Sequence, residues 1–168
     1  QKLLNNKNII DGKLLSDSFG INCIKVKTDD KMDFIIKYYD IKKNENFNAI
    51  QAESNNLKYF NNLKINFFPK VIVSSNNYLV MSFISNDRKL PNETKKDFLK
   101  AITSIHLCKK KNYGFDFDTQ IGGLKQINKI NDNWIEFYSN YRLGYIFDLI
   151  CSSNPMSNKI NKKIETII

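Results

Sequence analysis

The chain has 168 residues, 42% hydrophobic and 26% charged, with a formal net charge of +9. That suffices for one domain with a real core, or for part of a larger one, and no apolar run approaches the length needed to span a bilayer. Cys23, Cys108 and Cys151 are widely spaced, with no Cys-x-x-Cys pair, which argues against a structural zinc site or a disulfide framework and makes a reducing, cytoplasmic setting the default.

The first residues, Gln1-Lys2-Leu3-Leu4-Asn5-Asn6, hold no apolar block of signal-peptide length, and the missing initiator methionine leads us to expect residues upstream. Ile9–Leu15 and Cys23–Thr28 read as two strands, joined by the polar connection Ser16–Asn22. Asp29-Asp30-Lys31 is a hairpin turn into a third strand, Phe34-Ile35-Ile36-Lys37-Tyr38-Tyr39. Alternation places Phe34, Ile36 and Tyr38 on one face of that strand and Ile35 and Tyr39 on the other. With both faces apolar, the strand is expected to be buried and to carry Lys37 inside with it.

A helix follows, with Ala49, Ile50, Leu57 and Phe60 at the spacing of a core-facing stripe. Glu53 falls on that stripe. A buried charge is costly unless paired, so the economical reading pairs Lys37 with Glu53; the alternative is that each is solvated at a rim. A strand lysine held by a helix glutamate is the arrangement with which kinases fix ATP phosphates.

Phe67–Val73 and Tyr78–Phe83 read as two more strands, turning at Ser75-Asn76-Asn77. The expected fold is therefore α+β, beginning with a five-stranded antiparallel lobe that has one inserted helix. Met81–Ser85 leads out of it towards a mainly helical remainder. Asn92 is a plausible N-cap for a helix with Phe98, Ala101, Ile102 and Ile105 on one stripe. His106, the one histidine, closes that helix and reads as a packing residue. From Lys111 to Leu124 the chain is a long loop bearing glycine and aspartate. Asp132 then caps a helix with the aromatic stripe Trp134, Phe137, Tyr138, Tyr141 and Tyr145, beside which Arg142 is expected to anchor the loop. Pro155 separates a final amphipathic piece, Ser157–Ile168.

The lysines are spread along the chain. Their only run, Lys109-Lys110-Lys111, sits at a predicted helix C-terminus, where cations suit the helix dipole. No nucleic-acid signature accompanies them, and anionic small molecules or nucleotides account for a basic surface. Neither nucleic acid nor a membrane is expected as a partner.

The segment Tyr113-Gly114-Phe115-Asp116, then Gln120-Ile121-Gly122-Gly123-Leu124, then Asp132-Asn133-Trp134-Ile135-Glu136-Phe137-Tyr138, then Tyr141-Arg142-Leu143-Gly144-Tyr145, resembles the fructosamine kinase (ketosamine 3-kinase) family in order and spacing. That family lies within the wider aminoglycoside-phosphotransferase and protein-kinase-like group. Lys37, Ala52-Glu53 and Leu79-Val80-Met81 fall where it has its strand lysine, its helix glutamate and its entry to the hinge, and the resemblance runs over residues 10–168.

The resemblance implies a protein-kinase-like fold, with residues 1–84 as the nucleotide-binding lobe and 85–168 as the hinge and the first helices of a helical lobe. It implies ATP and Mg2+ as cofactors. Lys37 would contact the α- and β-phosphates and Glu53 would orient it. Ser82 and Ile84 would offer a backbone carbonyl and N–H to adenine, Met81 would close the back of the pocket, and Gly20, Ile21 and Asn22 would cover the phosphates. Two departures stand out: Ser82 replaces the family's usual hinge glutamate, and the phosphate loop is short of glycine. Cys23 lies near that loop, where similar enzymes sometimes place a cysteine. The implied substrate is a small-molecule or protein-bound ketosamine. Phosphoryl transfer also needs an aspartate in a His-Gly-Asp setting, with further magnesium ligands. His106 is followed by Leu107 and Cys108, so no catalytic or metal-binding residue is assigned within the chain; the catalytic loop is expected beyond Ile168, and the chain as given to be an inactive fragment. A non-catalytic nucleotide- or partner-binding module is the second expectation, and a basic nucleic-acid-binding domain a third.

Overall fold

Lys37 lies near the middle of an antiparallel sheet in the computed structural model of the chain, which describes residues 7–39, 47–85, 92–122, 124–153, 160, 162, 163 and 166. The strands are β1 (Ile9–Ser18), β2 (Ile21–Thr28), β3 (Asp33–Tyr39), β4 (Val71–Ser74) and β5 (Tyr78–Ser82), in the spatial order β1-β2-β3-β5-β4. Helix α1 (Ala49–Asn62) is inserted between β3 and β4. This is the five-stranded lobe with one helix that the sequence leads one to expect.

Side-chain alternation explains how the sheet is filled. On one face Ile35 of β3 packs with Ile50 and Leu57 of α1 and with Leu79 and Met81 of β5. On the other, Phe34 packs with Val26 and Val80. Strand β5 thus contributes to both layers, which is why it reads as an unbroken apolar run. Leu79 and Val80 are fully buried, and each such side chain stabilises the fold by roughly 1.5–3 kcal/mol.

Several expectations change. The connection Ser16–Asn22 is not a loop: β1 runs to Ser18, β2 begins at Ile21, and those two residues pair directly. Only Phe19 (φ 54°) and Gly20 (φ 73°) turn the chain, both with the positive φ that a two-residue hairpin turn of the primed type requires. The short polar residues of Ser16–Asn22 look like loop punctuation, yet β1 is solvent-exposed along its length and tolerates them. The strand read over Phe67–Val73 is shorter and later, since Phe68 is drawn out of line to stack on Phe60 of α1 (ring centroids 4.3 Å apart), and Pro69 has no N–H to give a ladder. His106, at the end of helix α2 (Asn92–His106), is exposed rather than packed. Helix α2 begins at Asn92, and Phe98 and Ile102 of the expected stripe are exposed.

The chain divides into two compact units, Gln1–Lys109 and Lys110–Ile168. In the second, part of the expected loop is a hairpin of β6 (Thr119–Ile121) and β7 (Leu124–Gln126). The helix after it comprises α3 (Trp134–Tyr138), a π-helical turn over Ser139–Gly144, and α4 (Tyr145–Ser153). Its cap is Asn133, not Asp132: Asn133 Oδ1 accepts from the backbone N–H of Ile135 (2.9 Å) and Glu136 (3.4 Å). The predicted piece Ser157–Ile168 lies almost wholly outside the described residues.

Gly114 has φ +97°, and a Cβ added there would stand 3.1 Å from Cε2 of the buried Phe137 and 3.2 Å from the Lys129 carbonyl oxygen. We therefore expect Gly114→Ala to destabilise the protein by about 2 kcal/mol, from left-handed backbone strain plus overpacking. Urea denaturation checks this; an unchanged midpoint would contradict it. Among the described residues no helix is long and apolar enough to cross a membrane.

Candidate active site

Strand β3 sends Lys37 to the face covered by α1, where Glu53 meets it. Lys37 Nζ lies 2.6 Å from Glu53 Oε1 and 2.8 Å from Oε2. The two side chains are 25% and 23% exposed, so the pair is sheltered but within reach of a ligand. A charge-assisted bond of this kind is short and directional. Two of the ammonium's three donors are spent on Glu53, which leaves one for an anion.

The same strand also sets the helix. Two residues beyond Lys37, the Tyr39 hydroxyl accepts from the N–H of Ala49 (2.7 Å) and of Ile50 (3.4 Å). Asn48 completes the cap, accepting from Gln51 N–H at 2.9 Å, and its amide donates to the Asn76 carbonyl at 2.6 Å. Donors at a helix start that have no partner within the helix are thereby satisfied. Sequence reasoning took Tyr39 only as an apolar face residue; the available signal was that it shares the parity of Lys37. Tyr39→Phe removes the acceptor for both donors, and we expect a loss of about 1–2 kcal/mol, read as a lower thermal midpoint.

Cys23 is the direct cross-strand partner of both Ser16 and Lys37. Burial pushes its thiol above the ordinary range; Lys37 pulls it down, Glu53 raises it further, and a hydrogen bond with Ser16 lowers it, without reversing the rise. This disfavours the thiolate form on which redox exchange depends.

The other expected site residues fall in three places. Gly20 lies in the β1–β2 turn, with Ile21 opposite Tyr39 and Asn22 opposite Tyr38. That turn stands roughly 10 Å along β2 from Cys23, at the usual rise per strand residue. Met81 is buried opposite Ile35, within the layer under α1. Ser82 ends β5: its N–H donates to the Lys70 carbonyl and its hydroxyl accepts from the Lys70 N–H, both at 2.9 Å. Ile84, two residues on, is exposed. Lys37, Glu53 and Met81 thus share one face of the sheet, with the hairpin tip and the exit of β5 on its margins. No cluster of three or more His, Cys, Asp or Glu able to hold a metal ion is found among the described residues.

The fructosamine kinase family model matches residues 13–168. The chain belongs to the fructosamine kinase family. A probable ketoamine kinase from Pasteurella multocida is 27% identical over 94 residues, 55% of this chain and 33% of that protein. A chloroplastic protein-ribulosamine 3-kinase from Arabidopsis thaliana is 36% identical over 70 residues, 40% of this chain and 21% of that protein. Among solved structures, one described as a fructosamine-3-kinase from Thermobifida fusca YX-ER1 superposes with a TM-score of 0.81 at 16% identity, covering 99% of this chain and 59% of that one. Another so described, from Haemophilus somnus 129PT, gives 0.76 at 19% identity, covering 95% and 54%. The fold is accordingly α+β and protein-kinase-like. The chain spans little more than half the length of those solved chains, and a third or less of the two curated relatives.

The Lys110–Ile168 unit holds a polar hub of which the sequence leads one to expect only Arg142. The Arg142 guanidinium donates from Nη1 to the carbonyls of Ile127 (2.7 Å) and Tyr141 (2.8 Å), and from Nη2 to Asn128 Oδ1 (2.6 Å). Buried Asn128 passes the network on, donating from its side-chain amide to Thr119 Oγ1 at 2.8 Å and from its backbone N–H to Asp118 Oδ1 at 3.0 Å. Burial works to raise the Asp118 carboxyl, but hydrogen bonds from Lys125 and from the Asn128 N–H outweigh it and hold the group below the usual carboxylate range. In this fructosamine kinase family member, then, Arg142 and Asn128 tie the β6–β7 hairpin to the helix behind it. Trp134 lies against Tyr113 and Tyr138, with ring centroids 5.2 Å apart in each case.

Proposed function

We propose that the whole protein is an ATP- and Mg2+-dependent kinase that phosphorylates the sugar moiety of glycated amines, free or protein-bound, so that the unstable phosphate decomposes and releases the amine. The observation that carries this reading is the two-pronged Lys37–Glu53 pair in a chain of this family. Bound ATP supplies the transferable phosphoryl group. Lys37, held by Glu53 and with one donor to spare, binds the α- and β-phosphate oxygens, and its charge offsets theirs. Gly20, Ile21 and Asn22 cover the phosphates from the hairpin tip. Ser82 offers its carbonyl to adenine, its N–H being engaged by Lys70, and Ile84 offers its N–H, while Met81 walls the pocket behind. In this reading residues 1–84 are the nucleotide lobe and 85–168 the hinge and first helices of the second lobe. The catalytic base and the magnesium ligands are assigned to residues beyond Ile168.

The relatives named for ketoamines and for ribulosamines support a ketosamine as the substrate class. The test incubates the native full-length protein with ATP, Mg2+ and a fructosyl amine, and follows the amine by mass spectrometry. Gain of one phosphate is the expected result. Saturable ATP binding with no transfer to any ketosamine would overturn the enzymatic reading and leave a non-catalytic nucleotide-binding module.

A further inference from the structure

Outside the Lys37–Glu53 site, two cavities adjoin between the C-terminal half of α1 and strand β4. One, of about 460 Å3, is lined by Lys64, Phe68 and Lys70 among others; the second, of about 350 Å3, by Lys58, Ile72 and Ser74. Asn61 and Val71 line both, so the two form one groove. Its charged lining consists of lysines alone, and among the described residues none of the three is paired with a carboxylate. Lys58 is positioned by a neutral partner, Ser74 Oγ, at 2.8 Å. A concave surface lined by one sign of charge gathers ligands of the other.

The groove also follows a sheet edge. β4 is one of the two outer strands in the order β1-β2-β3-β5-β4, and an edge strand presents backbone groups to any extended chain laid beside it. The side chain of Asn61 already imitates such a neighbour: its Oδ1 accepts from Val71 N–H at 3.2 Å and its Nδ2 donates to the Pro69 carbonyl at 3.3 Å. A peptide group on a flanking strand offers the same donor and acceptor. Exposed Ile72 and half-buried Phe68 add apolar contact along the same line.

We propose that this groove docks an extended acidic segment of a partner protein, laid along β4 with its carboxylates towards Lys58, Lys64 and Lys70 and an apolar side chain over Phe68 and Ile72. The lysines are distributed along the groove, Lys58 in one cavity and Lys64 and Lys70 in the other, which suits a chain of spaced carboxylates better than a single compact anion.

The test is fluorescence anisotropy with a labelled twelve-residue peptide alternating glutamate and valine, against the same peptide with glutamine for glutamate. Expected is saturable binding, weakened at least about tenfold in the glutamine peptide and in a Lys58→Gln/Lys64→Asn/Lys70→Gln variant; screening by added salt acts in the same direction. Lys64 is replaced by asparagine because its φ is +56°, a conformation asparagine tolerates. A Lys95→Gln/Lys96→Gln/Lys100→Gln control on α2 is expected to bind as the unaltered protein does. Equal weakening in that control, equal affinity for the glutamine peptide, or displacement of the peptide by single-stranded RNA at lower concentration would overturn the proposal. Should the groove variant fail to fold by circular dichroism, backbone amide shifts in the unaltered protein decide: they are expected in β4 and the end of α1, and shifts confined elsewhere refute the site.

Discussion

On the proposed kinase activity, replacing Lys37 by methionine is expected to lower kcat by about a hundredfold or more, the scale on which loss of one preorganised charge-stabilising donor acts. The thermal midpoint is expected to fall by only a few degrees. The contrast follows from where the pair sits. Methionine is close to lysine in length and keeps the packing of β3 against α1. Glu53 loses both of its short bonds, but at 23% exposure water reaches it, so the cost falls between that of an exposed pair and a buried one, on the order of 1 kcal/mol. Glu53→Gln makes the complementary test. It keeps an acceptor for Lys37 while removing the charge that fixes the ammonium, and should reduce kcat by a smaller factor, about tenfold. Full turnover in Lys37→Met would end the assignment of Lys37, whereas loss of folding would show the pair to be structural first.

That pair was readable because two independent periodicities point at one place. Alternation put Lys37 on the Ile35 and Tyr39 face of its strand, and the helical stripe put Glu53 among Ala49, Ile50 and Leu57; both faces proved to be the same interface. Other features of the two units were hidden for definite physical reasons. Tyr39 buries an apolar ring and uses a polar tip, so hydropathy sees the ring and misses the helix cap it provides. The β1–β2 turn places phenylalanine at positive φ, a position that turn statistics reserve for glycine, asparagine or aspartate. β6 and β7 are three residues each, too short for alternation to register. The π-helical turn over Ser139–Gly144 shifts the repeat within an aromatic stripe that reads as one regular helix. The contact between Arg142 and Asn128 joins residues 14 positions apart, beyond any local pattern.

That contact leads to the second large effect. Arg142→Ala is expected to destabilise the Lys110–Ile168 unit by about 3 kcal/mol. Hydrogen bonds to a charged group contribute roughly 1.5–3 kcal/mol each when partly buried, and removing the donor strands its acceptors. Here the acceptors are the Ile127 carbonyl and Asn128 Oδ1 in the loop and the Tyr141 carbonyl on the helix. The guanidinium also lies 4.6 Å from the ring centroid of the buried Phe137, so the substitution loses a stacked packing surface as well. Burial pushes the Arg142 guanidinium below its ordinary value, yet arginine stays protonated in proteins, so the hub persists across the accessible pH range on the arginine side. Arg142→Lys retains the charge but offers a point donor in place of a planar fork, and it cannot serve the Ile127 carbonyl and Asn128 Oδ1 together; it should recover less than half of the loss. Amide hydrogen exchange locates the effect. Faster exchange in β6 and β7, with the β2, β3 and β5 amides unchanged, is the expected pattern. Uniform acceleration would mean that Arg142 supports the whole chain rather than the hairpin, and no acceleration would mean that the hairpin is held by the Asp118–Lys125 pair and the Thr119–Asn128–Gln126 bonds alone. An Arg142→Ala, Asn128→Ala double-mutant cycle separates these cases, because a direct bond of 2.6 Å should give a coupling energy of at least about 1 kcal/mol, whereas independent contributions would add.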